Sequence, residues 1–135
     1  MKRWLIAILL LGTVATAHSN PKTQVKTQNG VYYQLEPRDL KAQLVKKDFV
    51  LINVHTPYQG EIAGTDALIA FDTISSAKNL PKNKNAEIVI YCRSGRMSQI
   101  AAVQLVKMGY TNLRELRGGF NAWVAAGYKL EQGKR

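Results

Sequence analysis

Two runs constrain this chain more than anything else in it: FVLINV at 49–54 and EIVIY at 87–91. Each has strand length, and neither alternates apolar with polar residues. Such a strand has no solvent face, so it must be covered on both sides, as in a parallel sheet. Parallel strands need long crossovers, and the intervening segments supply helical patterns for them. EPRDLKAQLVKK at 36–47 places Pro37 at a first helical position. It sets Leu40, Leu44 and Val45 on one face, with lysines in the last turn. SQIAAVQLVKMG, from Ser98, gives Ile100, Ala101, Val103, Leu105, Val106 and Met108 a wide apolar surface, with Gly109 as its stop. GGFNAWVAAG at 118–127 reads as a short helix with Phe120, Trp123 and Val124 on one face. VYYQL at 31–35 has the mixture of a short edge strand, and NLREL at 112–116 reads as a further strand. A short strand and a short helix are expected within 69–80. The alternation predicts an α/β fold, doubly wound, with a mainly parallel central sheet and helices on both faces. The chain has 135 residues, 46% of them hydrophobic, which suits one domain with a real core.

The ends read differently. MKRW carries two positive charges, LIAILLLGTVA is a short apolar run, and Ala15–Thr16–Ala17 supplies small residues at the cleavage-determining positions. This is the pattern of a secretory signal peptide over 1–17, cut after Ala17. The expected location is periplasmic or secreted, with no stable membrane anchor after cleavage. Residues 18–30 read as a linker or N-terminal arm, 31–130 as the domain and 131–135 as a C-terminal tail. The net charge of +10 favours small anionic partners. The basic residues are scattered without aromatic interleaving, so no nucleic-acid partner is expected.

Export makes the chain's single cysteine, Cys92, informative. Exported proteins usually pair their cysteines, and this one has no partner within the chain. It follows the second apolar run, so it stands at the C-terminal end of a central strand. The loop CRSGRM and a helix start come next. At that sheet edge open α/β folds bind ligands. Gly95 lets the loop curl so that its N–H groups converge on an anion, and the helix dipole reinforces them. Arg93 and Arg96 add guanidinium groups. Such surroundings favour thiolate over thiol, so the reading is a nucleophilic sulfur inside an anion cradle. The competing reading is a buried structural thiol. Among thiol chemistries, a redox site of the C-x-x-C type is absent. A cysteine phosphatase or arsenate reductase places arginine sixth after the cysteine, where this chain has Ser98. Papain-type catalysis needs a histidine partner, and the chain offers only His18 and His55. What remains is a six-residue loop, Cys92 to Met97, carrying sulfur as a persulfide. Glu61 and Asp66 lack metal-ligand company, so no metal site is expected.

YCRSGRMSQIAAVQLVKMGYTNLRELRGGFNAWVAAGY resembles the C-terminal half of a rhodanese-like (thiosulfate sulfurtransferase) domain. The carriers are the strand before Cys92, the CRSG loop, the helix ending in Gly-Tyr, and the ending over Leu116–Tyr128. DFVLINVHTPYQGEIAG resembles the family's earlier strand and loop. The resemblance implies a single-domain sulfurtransferase in which Cys92 takes a sulfane sulfur from a donor such as thiosulfate or polysulfide and yields it to a thiol or cyanide. Arg93, Ser94, Gly95, Arg96 and Met97 then form the substrate-binding loop, with Asn53 and His55 as candidate pocket residues and no cofactor. The family commonly has Asp-Val-Arg where this chain has Asn53-Val54-His55, a Gly-His-Ile-Pro-Gly-Ala turn where it has Gly60–Thr65, and often arginine at Met97. These departures bear on the substrate more than on the sulfur chemistry. The alternative is a catalytically inactive rhodanese-like module that recognises an anion or a partner protein.

Overall fold

The computed structural model describes residues 23–133, together with Gly12. The signal-peptide reading therefore lies outside the described residues, Gly12 apart. No helix among them is long and apolar enough to cross a membrane. The strands are β1 (Thr23–Thr27), β2 (Gly30–Leu35), β3 (Val50–Asn53), β4 (Ala67–Leu68), β5 (Ile88–Tyr91) and β6 (Leu113–Leu116). The helices are α1 (Pro37–Gln43), α2 (Arg96–Lys107) and α3 (Gly119–Ala125), with 3-10 turns at Leu44–Lys46 and Ile74–Ser76.

One six-stranded sheet runs in the order β1-β2-β6-β5-β3-β4. Among the described residues of this sheet, β1 pairs with β2 antiparallel and the other four strand pairings are parallel. Alternation along β5 explains its unbroken apolar run. Ile88 and Ile90 face one layer with Leu105 and Val106 of α2, while Val89 and Tyr91 face the other with Leu40, Phe120 and Trp123 of α1 and α3. The expected α/β architecture, with helices on both faces, is what the chain forms.

Several boundaries move. Residues 23–27, read as part of a linker, are the edge strand β1, so β2 lies one place inside the sheet. TQVKT carries one apolar residue, Val25, and that side chain packs on the α2-side core. A turn over Gln28 and Asn29 closes the hairpin, with the Thr27 hydroxyl donating to the Gly30 carbonyl at 2.9 Å. The tail is also tied down. Glu131 exchanges backbone hydrogen bonds with Glu61 at 2.8 and 2.7 Å, and the Gly133 N–H donates to the Tyr58 hydroxyl at 2.6 Å. Pro37 does open α1, but Val45, expected on the buried face, is 82% exposed because the helix tightens into a 3-10 turn at Leu44. Ile100, Val103 and Val124 are likewise exposed, so α2 and α3 bury narrower stripes than their composition suggests.

Candidate active site

Cys92 lies directly after β5, with β3 and β6 on either side. Its side chain is buried, at 1% exposure. Gly95, at φ 106°, turns the chain into α2, which starts at Arg96, two residues earlier than the apolar pattern indicated. The loop is therefore shorter, and Arg96, Met97 and Ser98 form the first helical turn. Their N–H groups have no intrahelical acceptor by geometry, and among the described residues none donates to a backbone carbonyl. The Gly95 N–H donates to Cys92 Sγ at 3.0 Å.

The loop's carbonyls point the other way. Cys92 O accepts from the Phe120 N–H at 2.9 Å, and Arg93 O accepts from the Asn121 N–H at 3.0 Å. Those donors belong to the first turn of α3, which gains caps while it orients the loop. Gly119 makes this possible. It sits at φ 59°, and a Cβ there would lie 2.3 Å from Cys92 O. The Gly-Gly pair is thus a close-approach device: it draws carbonyls to one side of the loop and leaves N–H groups on the other.

The residues singled out by sequence divide clearly. Cys92 and Gly95 are buried, while Arg93, Ser94 and Arg96 are exposed around them. Neither guanidinium makes an ion pair among the described residues. Met97 is half-buried and packs on the α2-side core. Asn53 is spent on structure: Nδ2 donates to Gly60 O at 3.0 Å, and Oδ1 accepts from the His55 N–H at 3.0 Å. It braces the loop after β3. The His55 ring meets Phe120 edge-to-face at 5.5 Å. Burial holds its imidazole below the ordinary histidine range; nearby Gln59 works in the opposite direction, and Arg93 adds a further lowering. Neither ring nitrogen closes a well-formed hydrogen bond. A neutral imidazole beside Arg93 follows at pH 7.

Three residues that the sequence did not disclose complete the site. The Cys92 thiol reaches the Ser98 hydroxyl at 3.4 Å, and Ser98 Oγ reaches Glu115 Oε1 at 2.8 Å. Gln34 Nε2 donates to the other carboxylate oxygen at 2.9 Å. Glu115 is fully buried, and burial pushes its carboxyl above the usual range, against the hydrogen bonds from Gln34 and Ser98 and the charge of Arg117. The one available signal was a pair of charges, Arg114-Glu115, inside a strand that is otherwise apolar. No group of three or more His, Cys, Asp or Glu side chains among the described residues is arranged to hold a metal.

A buried sulfur that accepts the Gly95 N–H beside the start of α2 suits a thiolate or the terminal sulfur of a persulfide. A sulfurtransferase from Allochromatium vinosum is 34% identical over 94 residues, covering 62% of this chain and 79% of its own. The thiosulfate sulfurtransferase GlpE of Pseudoalteromonas translucida is 36% identical over 86 residues, covering 62% and 80%. The crystal structure of a rhodanese-like domain protein from Staphylococcus aureus superposes with a TM-score of 0.60 at 27% identity, covering 75% of this chain and 98% of that one. The sequence pattern of the Rhodanese-like domain itself spans residues 36–126, from the start of α1 to the end of α3, and on that match the chain belongs to the rhodanese-like family.

Proposed function

We propose that this chain is an exported sulfurtransferase that carries a sulfane sulfur as a persulfide on Cys92. The observation that carries the reading is the position of Sγ: buried at the end of β5, accepting the Gly95 N–H, and facing the uncommitted first turn of α2. The Cys92 thiolate attacks the outer sulfur of thiosulfate or a polysulfide. A bond forms between Sγ and that sulfur, the donor's S–S bond breaks, and its electron pair leaves with sulfite or the shortened polysulfide. An acceptor thiolate or cyanide then attacks the terminal sulfur, and Cys92 departs as thiolate. Arg93, Ser94 and Arg96 stand where the donor's anionic end arrives, and the 1% exposure of Cys92 admits only slender donors. Export rests on the charged and apolar pattern over 1–17.

Intact-protein mass after thiosulfate or polysulfide treatment tests this. The expected result is a gain of one sulfur atom, lost on addition of a thiol acceptor and absent in Cys92→Ala, which also loses transfer. A folded wild-type chain that gains no sulfur from either donor overturns the reading and leaves a rhodanese-like binding module.

A further inference from the structure

Cys92, Ser98 and Glu115 form one buried file, and the protons in it can be counted. Ser98 Oγ contacts Cys92 Sγ at 3.4 Å, Glu115 Oε1 at 2.8 Å and Gly95 O at 3.1 Å. A hydroxyl has a single hydrogen to give. When it donates to the Glu115 carboxylate, its oxygen can only accept from the sulfur, which must then be a thiol. When the sulfur is a thiolate and the file still holds the same number of protons, the hydroxyl turns to donate to it, and Glu115 supplies a hydrogen of its own. The two arrangements hold the same atoms and the same single negative charge. They differ by moving the thiol proton to Ser98 Oγ while the serine proton moves to Oε1. No charge enters or leaves the apolar interior.

We propose that Glu115, acting through the Ser98 hydroxyl, takes up the proton of the Cys92 thiol and so serves as the positioning residue that readies the sulfur for attack. This rests on Cys92 being the nucleophile, as argued above. The surroundings fit the role. Oε1 lies under the loop, where a Cβ on Gly95 would stand 3.4 Å from it. No lysine, arginine or histidine makes an ion pair with Glu115 among the described residues, so no contact cation holds it ionised. Its neighbours are Gln34 and Tyr32 from β2, Ser98 from α2, Cys92 from the loop and Arg117 beyond β6. Burial raises the Tyr32 phenol further above its ordinary value, and the Glu115 charge raises it again, so Tyr32 stays neutral. His55, across the loop beside Arg93, is the neighbouring group that titrates on the acid side.

Two coupled groups titrate as a pair, in two macroscopic steps. The experiment is the rate of iodoacetamide alkylation of the full chain from pH ~5 to pH ~10, a window that spans both steps. It needs no sulfur donor, so its outcome is separate from whether sulfur transfer occurs. The wild type is expected to rise in two steps with a reactive plateau between them. Glu115→Gln keeps the shape and a donor to Ser98 but takes no proton, so it should show a single step and lose about tenfold or more on the plateau. Ser98→Ala breaks the same file by a smaller change and should also lose the plateau, which covers the case of a Glu115 variant that does not fold. His55→Gln should keep it. A single step in the wild type overturns the proposal. So does a plateau that survives both Glu115→Gln and Ser98→Ala, or one that disappears in His55→Gln alone.

Discussion

Arg114 and Glu115 are consecutive on β6, both buried, and they answer the same problem in opposite ways. Arg114 faces the α1 and α3 layer. Its guanidinium pairs with Glu87 just ahead of β5, donates to Gln43 at the end of α1 and lies over the Phe49 ring, with Asp48 close enough to support its charge. Glu115 faces the α2 layer, and its contacts are the neutral donors Ser98 and Gln34. Both charges are penalised by burial, which lowers the arginine and raises the glutamate. Only the arginine receives a countercharge in contact. A buried charge neutralised by carboxylates at the start of the strands is scaffold. One held by neutral donors beneath the buried Cys92 sulfur is free to change its protonation state.

The largest expected effect separates the two by stability. Arg114→Ala strands Glu87 and Gln43 and removes a stem that packs on Phe49. Breaking a buried pair costs about 3–5 kcal/mol, and the partial exposure of Glu87 places this loss near the lower end, about 3 kcal/mol. Urea unfolding measures it, while the shape of the Cys92 alkylation profile stays as in the wild type. A loss below about 1 kcal/mol, the range of an exposed pair, breaks the comparison, since Arg114 would then carry no structural load.

The next effect has the opposite sign and depends on pH. Glu115 holds its proton more tightly folded than unfolded, because burial disfavours its anion. The folded state therefore binds more protons wherever the two values differ. Its contribution is fully present below the ordinary carboxylate value of about 4.3 and is lost as pH rises through the raised folded value. Glu115→Gln removes that loss. Relative to the wild type, the variant should gain stability as pH climbs from about 4.3, and the gain should be smaller in magnitude than the Arg114→Ala loss. Parallel stability curves for the two proteins across that range would show that burial does not raise the Glu115 carboxyl, and the contrast with Arg114 would fail.

How much of this was legible beforehand follows from the range of each interaction. The strand, loop and helix around Cys92 are local, so a continuous apolar run, one glycine and a helical pattern disclosed them. The loop's curl at Gly95 was legible for the same reason, although its orientation depends on Gly119 reaching Cys92 across 27 positions. β1 was not legible, because TQVKT has a single apolar residue and becomes a strand only through its hairpin with β2. Val45 and Val124 matched a helical face by spacing, yet neither is covered, since nothing in the pattern says where a neighbouring element stops. The file from Cys92 to Gln34 was least visible. Ser98 and Glu115 are 17 residues apart and Gln34 and Glu115 are 81 apart, so they meet only because β2 pairs with β6. No single-sequence pattern encodes that pairing.

The smallest effect is the sharpest test of which way the carboxylate works. Gln34→Leu deletes the donor to Glu115 Oε2 and leaves Ser98 and the thiol in place. A purely structural view predicts a small loss of stability, about 1 kcal/mol, and a sulfur that is unchanged or less reactive. The proton count predicts otherwise. Gln34 stabilises the ionised carboxylate, so without it Glu115 becomes a better proton acceptor. The balance within the file then moves toward carboxylic acid and thiolate. Alkylation on the plateau should rise, by about fivefold for the loss of a hydrogen bond of about 1 kcal/mol, while the rate at high pH, where the sulfur is ionised in either protein, does not change. A gain in reactivity from deleting a hydrogen bond two side chains away from the sulfur has no explanation in packing. A fall on the plateau would mean that Glu115 merely fixes Ser98 in place, as Arg114 fixes Gln43 on the opposite face.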